Sequence, residues 1–372
     1  MARRLLIARP GRIYLATYNP TSPAITIDLD VPFAGNPSWF AVSPARSNSL
    51  YTIDEHASTT CLFDLDLASN RLTKVGERHG SKGICHLEMN KHGTIMVGTS
   101  WATGTIDIWN TKNQSLELIK TIPSKDPVLD AGRVARAHQA VIDPTGRFFI
   151  VNDLGTDSLL VLDSSAPDVP IVNRIRVPSG SGPRHGVFYP AGEGDSPATH
   201  YILLCETSSR VIVFSLEYTD AKIEFTALES YSTFMADDSS PERISSAAAG
   251  EIVLSKDNKH VYTSNRLTTS PTETIAHFRI LNDLDSKRQG GGLALELVAE
   301  TSTLGKHPRM FSLSKDGSEL FVGNQEGEWA VVVLKRRDDG TLEEKPLAGI
   351  RMDELVKGGG DQRGPMFVLE IV

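Results

Sequence analysis

Eight side chains that can hold an anion or move a proton are spread over more than two hundred positions of this 372-residue chain. They are Arg184, Arg266, Arg309, His86, His138, His185, Glu206 and Glu251. A guanidinium fork binds carboxylate or phosphate in two parallel hydrogen bonds. An imidazole changes charge near neutral pH, and a carboxylate can accept or return a proton. Together these types suit capture of a small anionic ligand and proton transfer to or from it. No metal and no cofactor is required by the set.

The elements that would position them recur along the chain. Six times an apolar run ends in a Pro, Asp or Gly turn and is followed by a second β-rich run. The runs are Trp39-Phe-Ala-Val-Ser-Pro44, His86-Leu-Glu-Met-Asn-Lys-His-Gly93, Gln139-Ala-Val-Ile-Asp-Pro-Thr-Gly146, His185-Gly-Val-Phe-Tyr-Pro190, Glu251-Ile-Val-Leu-Ser-Lys-Asp257 and Met310-Phe-Ser-Leu-Ser-Lys-Asp-Gly317. Their matching positions Ser43, Asn90, Asp143, Tyr189, Ser255 and Ser314 are 47, 53, 46, 66 and 59 residues apart. Strands and turns repeating at about fifty residues imply blades of a β-propeller. Third runs such as Leu159-Leu-Val-Leu162 and Ala330-Val-Val-Val-Leu334 lie near the ends of repeats, where an outer strand belongs.

The termini complete the count. Gly364-Pro-Met-Phe-Val-Leu-Glu-Ile371 reads as a seventh landmark with nothing after it, and Arg12-Ile-Tyr-Leu-Ala-Thr-Tyr-Asn19 as a strand with none before it. Joining them closes a ring and removes two exposed sheet edges. The expected fold is all-β: one seven-bladed propeller domain over residues 1–372, its last blade closed by N- and C-terminal strands. The stretches 191–200, 237–249 and 284–292 read as loops, and Met352-Asp-Glu-Leu-Val-Lys357 as one helical turn.

In an antiparallel hairpin the start of the first strand and the end of the second lie together. If first strands line a central channel, the entering pairs Ser38-Trp39, Cys85-His86, His138-Gln139, Arg184-His185, Gly250-Glu251 and Arg309-Met310 share one mouth. The ends of the second strands add Glu206 and Asn265-Arg266 to it. The eight candidates are therefore expected on a single rim.

Composition narrows the partners. The net charge of −8 disfavours nucleic acid and anionic membrane surfaces. No apolar stretch approaches the roughly 20 residues that span a bilayer. Met1-Ala-Arg-Arg-Leu-Leu-Ile-Ala-Arg-Pro10 has an apolar run of only four residues before Arg9 and reads as a first strand, in a cytoplasmic protein. Cys61, Cys85 and Cys205 have no paired spacing and are expected reduced and buried. No Gly-x-Ser-x-Gly elbow, His-Glu-x-x-His or phosphate loop occurs.

Ala137-His-Gln-Ala-Val-Ile-Asp-Pro-Thr-Gly-Arg147 with Val151-Asn-Asp-Leu-Gly155 resembles one blade of the seven-bladed propeller lactonase family. So do Gly182-Pro-Arg-His-Gly-Val-Phe188 with Cys205-Glu206, Ala248-Ala-Gly-Glu-Ile252 with Thr263-Ser-Asn-Arg266, and His307-Pro-Arg-Met-Phe311 with Gly323-Asn-Gln325. That family includes bacterial-type 6-phosphogluconolactonase and fungal carboxy-cis,cis-muconate cyclase. The resemblance implies a metal-independent lactone enzyme acting on a small anionic lactone or carboxylate. It implies His138, Glu206, Arg184 and Arg266 as catalytic residues, with His185, Glu251, Arg309 and His86 binding substrate. The Gly182-Pro-Arg-His185 and Ala249-Gly-Glu-Ile252 neighbourhoods are closer to the phosphogluconolactonase pattern. The alternative is a lactonizing muconate cyclase. A second alternative is a non-catalytic propeller scaffold for a protein partner, although the Trp-Asp signature of such scaffolds is missing and Trp109-Asn110 is the nearest approach.

Overall fold

The repeated landmark is a turn with a defined hydrogen-bond pattern. The computed structural model describes residues 2–191, 194–236, 240–281, 292–357 and 361–371. At four landmarks the side-chain oxygen of the matching residue accepts the amide five positions later: Asn90 from Ile95 (3.2 Å), Asp143 from Phe148 (2.7 Å), Ser255 from His260 (3.0 Å) and Ser314 from Glu319 (2.9 Å). The residue three positions on bonds back to the landmark carbonyl with positive φ: Gly93, Gly146, Asn258 and Gly317. Glycine and asparagine adopt that conformation at least cost, which is why the turn is legible as Asn, Asp or Ser followed by Gly or Asn.

Each turn joins the first two strands of a four-stranded antiparallel sheet, and seven such sheets occur. Blade 1 comprises Phe40–Ser43, Arg46–Ile53, Thr59–Asp66 and Arg71–His79. Blade 2 comprises Ile84–Met89, Ile95–Ser100, Thr105–Asn110 and Glu117–Pro123. Blade 3 comprises Ala137–Ile142, Phe148–Asp153, Ser158–Asp163 and Ile171–Arg176. Blade 4 comprises Pro183–Tyr189, His200–Cys205, Arg210–Tyr218 and Ile223–Ser232. Blade 5 comprises Ala248–Leu254, His260–Arg266, Thr274–Leu281 and Ala294–Ser302. Blade 6 comprises Met310–Leu313, Glu319–Gly323, Trp329–Lys335 and Ala348–Arg351. Blade 7 joins both ends of the chain: Phe367–Glu370 pairs with Arg3–Arg9, which is followed by Arg12–Asn19 and Ala24–Pro32. The fold is an all-β, seven-bladed propeller.

The third runs are not the outer strands that the sequence suggests, because a fourth strand lies outside each. Phe148–Asp153 and Ser158–Asp163 are buried at every position, packed on both faces. The outermost Glu117–Pro123 alternates exposed and half-buried residues, since one of its faces meets water. Such a strand carries no continuous apolar run and escapes a search for one. The segment 237–249 also differs from a plain loop. Pro241–Ile244 is one helical turn, its Arg243 amide capped by Ser240 Oγ, while residues 237–239 lie outside the described set. Residues 192–193 and 284–291 of the other two loops lie outside it as well. Met352–Leu355 is the expected helical turn.

Two compact units divide the chain: Ala34–Cys205 with Phe214–Ala227, and Met1–Phe33 with Glu206–Val213 and Leu228–Val372. In the first unit the inner strands of blades 1 to 4 pack side by side, over apolar clusters centred on Tyr51 and Trp109 and on Phe149 and Leu160. In the second, the inner strands of blades 5, 6 and 7 do the same, over Tyr262, Phe311 and Val332. Cys61, Cys85 and Cys205 are buried free thiols. No helix among the described residues is long and apolar enough to cross a membrane.

Candidate functional site

Inner strands of three successive blades carry a bulge at the same phase. Ile84 pairs with Ser100 and His86 with Thr99, leaving Cys85 extra. Ala137 pairs with Asp153 and Gln139 with Asn152, leaving His138 extra. Pro183 pairs with Cys205 and His185 with Leu204, leaving Arg184 extra. A bulge breaks the alternation of side chains and re-aims the extra residue, so His138 and Arg184 need not follow the pleat of their strands. Blade 5 has the related irregularity between Ala249 and Ile252, at Gly250 and Glu251.

Within the first unit these irregularities gather four of the eight candidates. His185 Nε2 lies 3.2 Å from His138 Nδ1, so one imidazole donates to the other. The His86 ring stands edge-on to His185 at 5.5 Å and lies against Trp39 at 4.1 Å between centroids. Arg184 is only 2% exposed. His86 is equally buried, and its Nδ1 has no hydrogen-bond partner among the described residues. Burial, then the neighbouring His185 and the Arg184 charge, push the His86 pKa well below the usual histidine range. His86 is therefore neutral at physiological pH.

A buried amide network fixes this cluster from behind. Gln139 Oε1 accepts from Asn152 Nδ2 (2.9 Å) and from Gly186 N (2.8 Å), while Tyr201 OH donates to Asn152 Oδ1 (3.0 Å). The inner strands of blades 3 and 4 are thus held in register beside the bulged His138 and Arg184. Gly186 is required there, because a Cβ would stand 2.3 Å from Tyr201 OH. The Cys85 thiol donates to the His138 carbonyl (3.2 Å), and Trp39 Nε1 donates to Leu87 O (3.2 Å).

The second unit holds the other four candidates. Arg266 donates to Glu206 Oε2 (2.9 Å) and to the Ala249 carbonyl (3.0 Å). Gly250 lies under the guanidinium, where a Cβ would be 3.0 Å from Arg266 Nε. Glu251 is buried; its amide bonds to Ser264 Oγ and its Oε1 accepts from Ile252 N. Arg309 is half-buried where blade 6 begins. The Asn265 and Asn324 amides donate to backbone carbonyls of Thr233 and Thr303. Among the described residues no three His, Cys, Asp or Glu side chains are grouped to hold a metal ion.

The profile of the family described as Lactonase, 7-bladed beta-propeller matches residues 6–354. The chain belongs to that family. Similar proteins within reach include a probable 6-phosphogluconolactonase of Arthroderma benhamiae, 31% identical over 63% of this chain and 58% of that protein. The chain thus spans less than two thirds of that relative's length. A 6-phosphogluconolactonase of Formosa agariphila is 24% identical over 91% of this chain and 92% of its own. The solved periplasmic gluconolactonase of Pseudomonas aeruginosa shares the fold, with a TM-score of 0.77 at 18% identity, covering 94% and 98% of the two chains.

Two features of this lactonase-family chain are missed by reading residue types alone. One is Trp39, which stands at the same repeat phase as His86 and His185 and walls the imidazole cluster. Its phase placed it in the entering pair Ser38-Trp39, but an indole moves no proton. The other is the Gln139–Asn152–Tyr201 network, whose members lie far apart in sequence and carry no local signal.

Proposed function

We propose that the protein hydrolyses the ring ester of a small anionic lactone, with 6-phosphogluconolactone as the representative substrate. The reading rests above all on the His138–His185 pair, held at 3.2 Å beside the buried Arg184. Opening a lactone needs a base for the attacking water, a positive charge for the oxyanion and an acid for the leaving alkoxide. His138 takes a proton from water as the oxygen adds to the carbonyl carbon. His185, bonded to the other nitrogen of His138, fixes the tautomer and supports the resulting imidazolium. Arg184 supplies a fixed positive charge for the tetrahedral oxyanion. The ring C–O bond then breaks, and the imidazolium returns its proton to the alkoxide. One water is consumed and one hydroxy acid is formed.

Arg266, already oriented by Glu206 and the Ala249 carbonyl, is assigned to the carboxylate that forms as the ring opens, and Glu206 to a second acid–base role. Glu251, Arg309, His185 and His86 are assigned to substrate binding. The test is purified protein mixed with 6-phosphogluconolactone while proton release is followed, and separately with 3-carboxy-cis,cis-muconate under ultraviolet absorbance. We expect turnover of the lactone, lost in His138→Ala and Arg184→Ala and reduced in Glu206→Ala and Arg266→Ala. Turnover that survives His138→Ala and Arg184→Ala together would sink the assignment. Turnover of the muconate instead would reverse the direction of the reaction.

A further inference from the structure

Two residues before His138, Arg136 sits over Trp101, its guanidinium carbon 3.8 Å from the ring centroid. Trp101 is 41% exposed, an unusual position for an indole. Arg136 is half-buried, and its guanidinium makes no hydrogen bond or ion pair among the described residues. In a chain of net charge −8, four other arginines of this unit behave otherwise: Arg133 pairs with Asp157, Arg147 with Asp163, and Arg174 and Arg176 with Asp130. A guanidinium held over an indole face keeps its N–H donors for an oxyanion.

The stem of Arg136 is not loose. Its amide donates to Asp153 Oδ1 (2.9 Å), and its carbonyl accepts from Leu154 N (3.0 Å). Asp153 is fully buried and also accepts from Gly155 N, Thr156 N and Ser124 Oγ. Gly155 packs against the Arg136 side chain, where a Cβ would be 3.0 Å from Cγ and 1.9 Å from the Val134 carbonyl. On the other side, Trp101 N donates to Gly83 O (3.1 Å), and Ser100 Oγ to Lys82 O (2.6 Å). The stacked pair is preorganised, at the same end of the blade 3 hairpin as the bulged His138.

We propose that the Arg136–Trp101 pair is an oxyanion-binding subsite for a terminal phosphate of the ligand, separate from the groups that act on the ester. The lactonase reading enters only in the choice of ligand. The probes are gluconate 6-phosphate and gluconate, which differ by the phosphate alone, titrated calorimetrically and by tryptophan emission. Wild-type protein should bind the phosphorylated acid more tightly by about tenfold or more, the usual worth of a charge-assisted bond. Arg136→Ala should collapse that ratio to near one. Arg136→Lys, which keeps the charge but loses the stacked fork, should retain part of it. Trp101→Phe, which keeps a smaller ring under the guanidinium, should lower the ratio less than Arg136→Ala, and circular dichroism confirms that each variant is folded.

A ratio that survives Arg136→Ala, or a wild-type protein that binds both acids alike or neither, overturns the subsite. An Arg136-dependent ratio in a protein that turns over no lactone would instead retain the subsite and overturn the proposed reaction.

Discussion

His138 and His185 meet nitrogen to nitrogen, with Nδ1 and Nε2 3.2 Å apart across 47 residues of sequence. Only one of the two nitrogens can carry the proton of that bond, so the tautomer of each ring is fixed by the other. The two residues are therefore expected to differ in kind under mutation. His138→Ala removes the group that handles the proton, and kcat should fall roughly 10²–10⁴-fold. His185→Phe keeps a ring in place but frees the His138 tautomer. Its kcat should fall on the order of tenfold, with KM raised as well because the ring also binds substrate. Steady-state kinetics on both variants checks this; equal losses would mean that His185 itself exchanges protons with substrate.

His86 is an imidazole buried at 2% exposure with Nδ1 unbonded. A buried polar atom without a partner costs stability, on the order of 1–3 kcal/mol. His86→Leu, close in volume, should therefore raise the urea midpoint while raising KM for substrate. Its effect on acid stability follows from the lowered pKa. Below pH about 6.5 the unfolded chain takes up a proton that the folded ring refuses, so the native state loses stability as pH falls. His86→Leu should lose less over the same interval. A variant less stable than wild type at pH 7 would show that the ring is bonded in solution.

How much of this was legible in sequence depends on whether a feature has a local cause. The turn at Asp143 is written in Asp143, Gly146 and the strands beside them, and four landmarks share its pattern, so blade number and the inner hairpins follow. The outermost strands were missed because solvent on one face removes the apolar run. The rim phase of His86, His138, Arg184 and His185 was readable from the repeat. The bulges at His138 and Arg184 were not, since a bulge depends on which partner amides are skipped across the sheet. Nor was the loss of hydrogen bonding at His86, which depends on Trp39 and His185 from other blades.

Blade 5 carries a second acid-sensitive pair. His260 Nδ1 lies 2.9 Å from His277 Nε2, and Tyr262 stacks on His277 at 5.0 Å while receiving the Arg336 guanidinium on its hydroxyl. His277 is fully buried; burial first, then His260 and Arg336, lower its pKa to about 4. Folded and unfolded states then differ in bound protons between pH about 6.5 and about 4, and stability declines across that window as pH falls. The loss from His277 is on the order of 3 kcal/mol. His277→Phe should flatten the urea midpoint between pH 6.5 and 4.5. An unchanged pH profile would place the proton uptake elsewhere.

Arg3 ties the N-terminal strand to blade 6. Arg3 is mostly buried and reaches Asp316 (2.7 Å), Glu319 (2.7 Å) and Glu370 (3.3 Å), linking blades 6 and 7. Its hydrogen bond is the largest cause holding the Asp316 carboxyl well below the usual range. Asp316 is mostly exposed, so its own contribution is screened by solvent, but Glu319 and Glu370 are not. Arg3→Met keeps the packing of the stem and leaves two buried carboxylates without their counter-charge, at a cost of about 3–5 kcal/mol. Amide exchange at Leu5–Ala8, which pair with Phe367–Glu370, should accelerate in step with that loss. Adding Glu319→Gln to Arg3→Met should recover part of the stability, because it removes one of the stranded charges. If the double variant is no more stable than Arg3→Met, the strand is held by packing of Leu5, Leu6 and Ile7 rather than by charge.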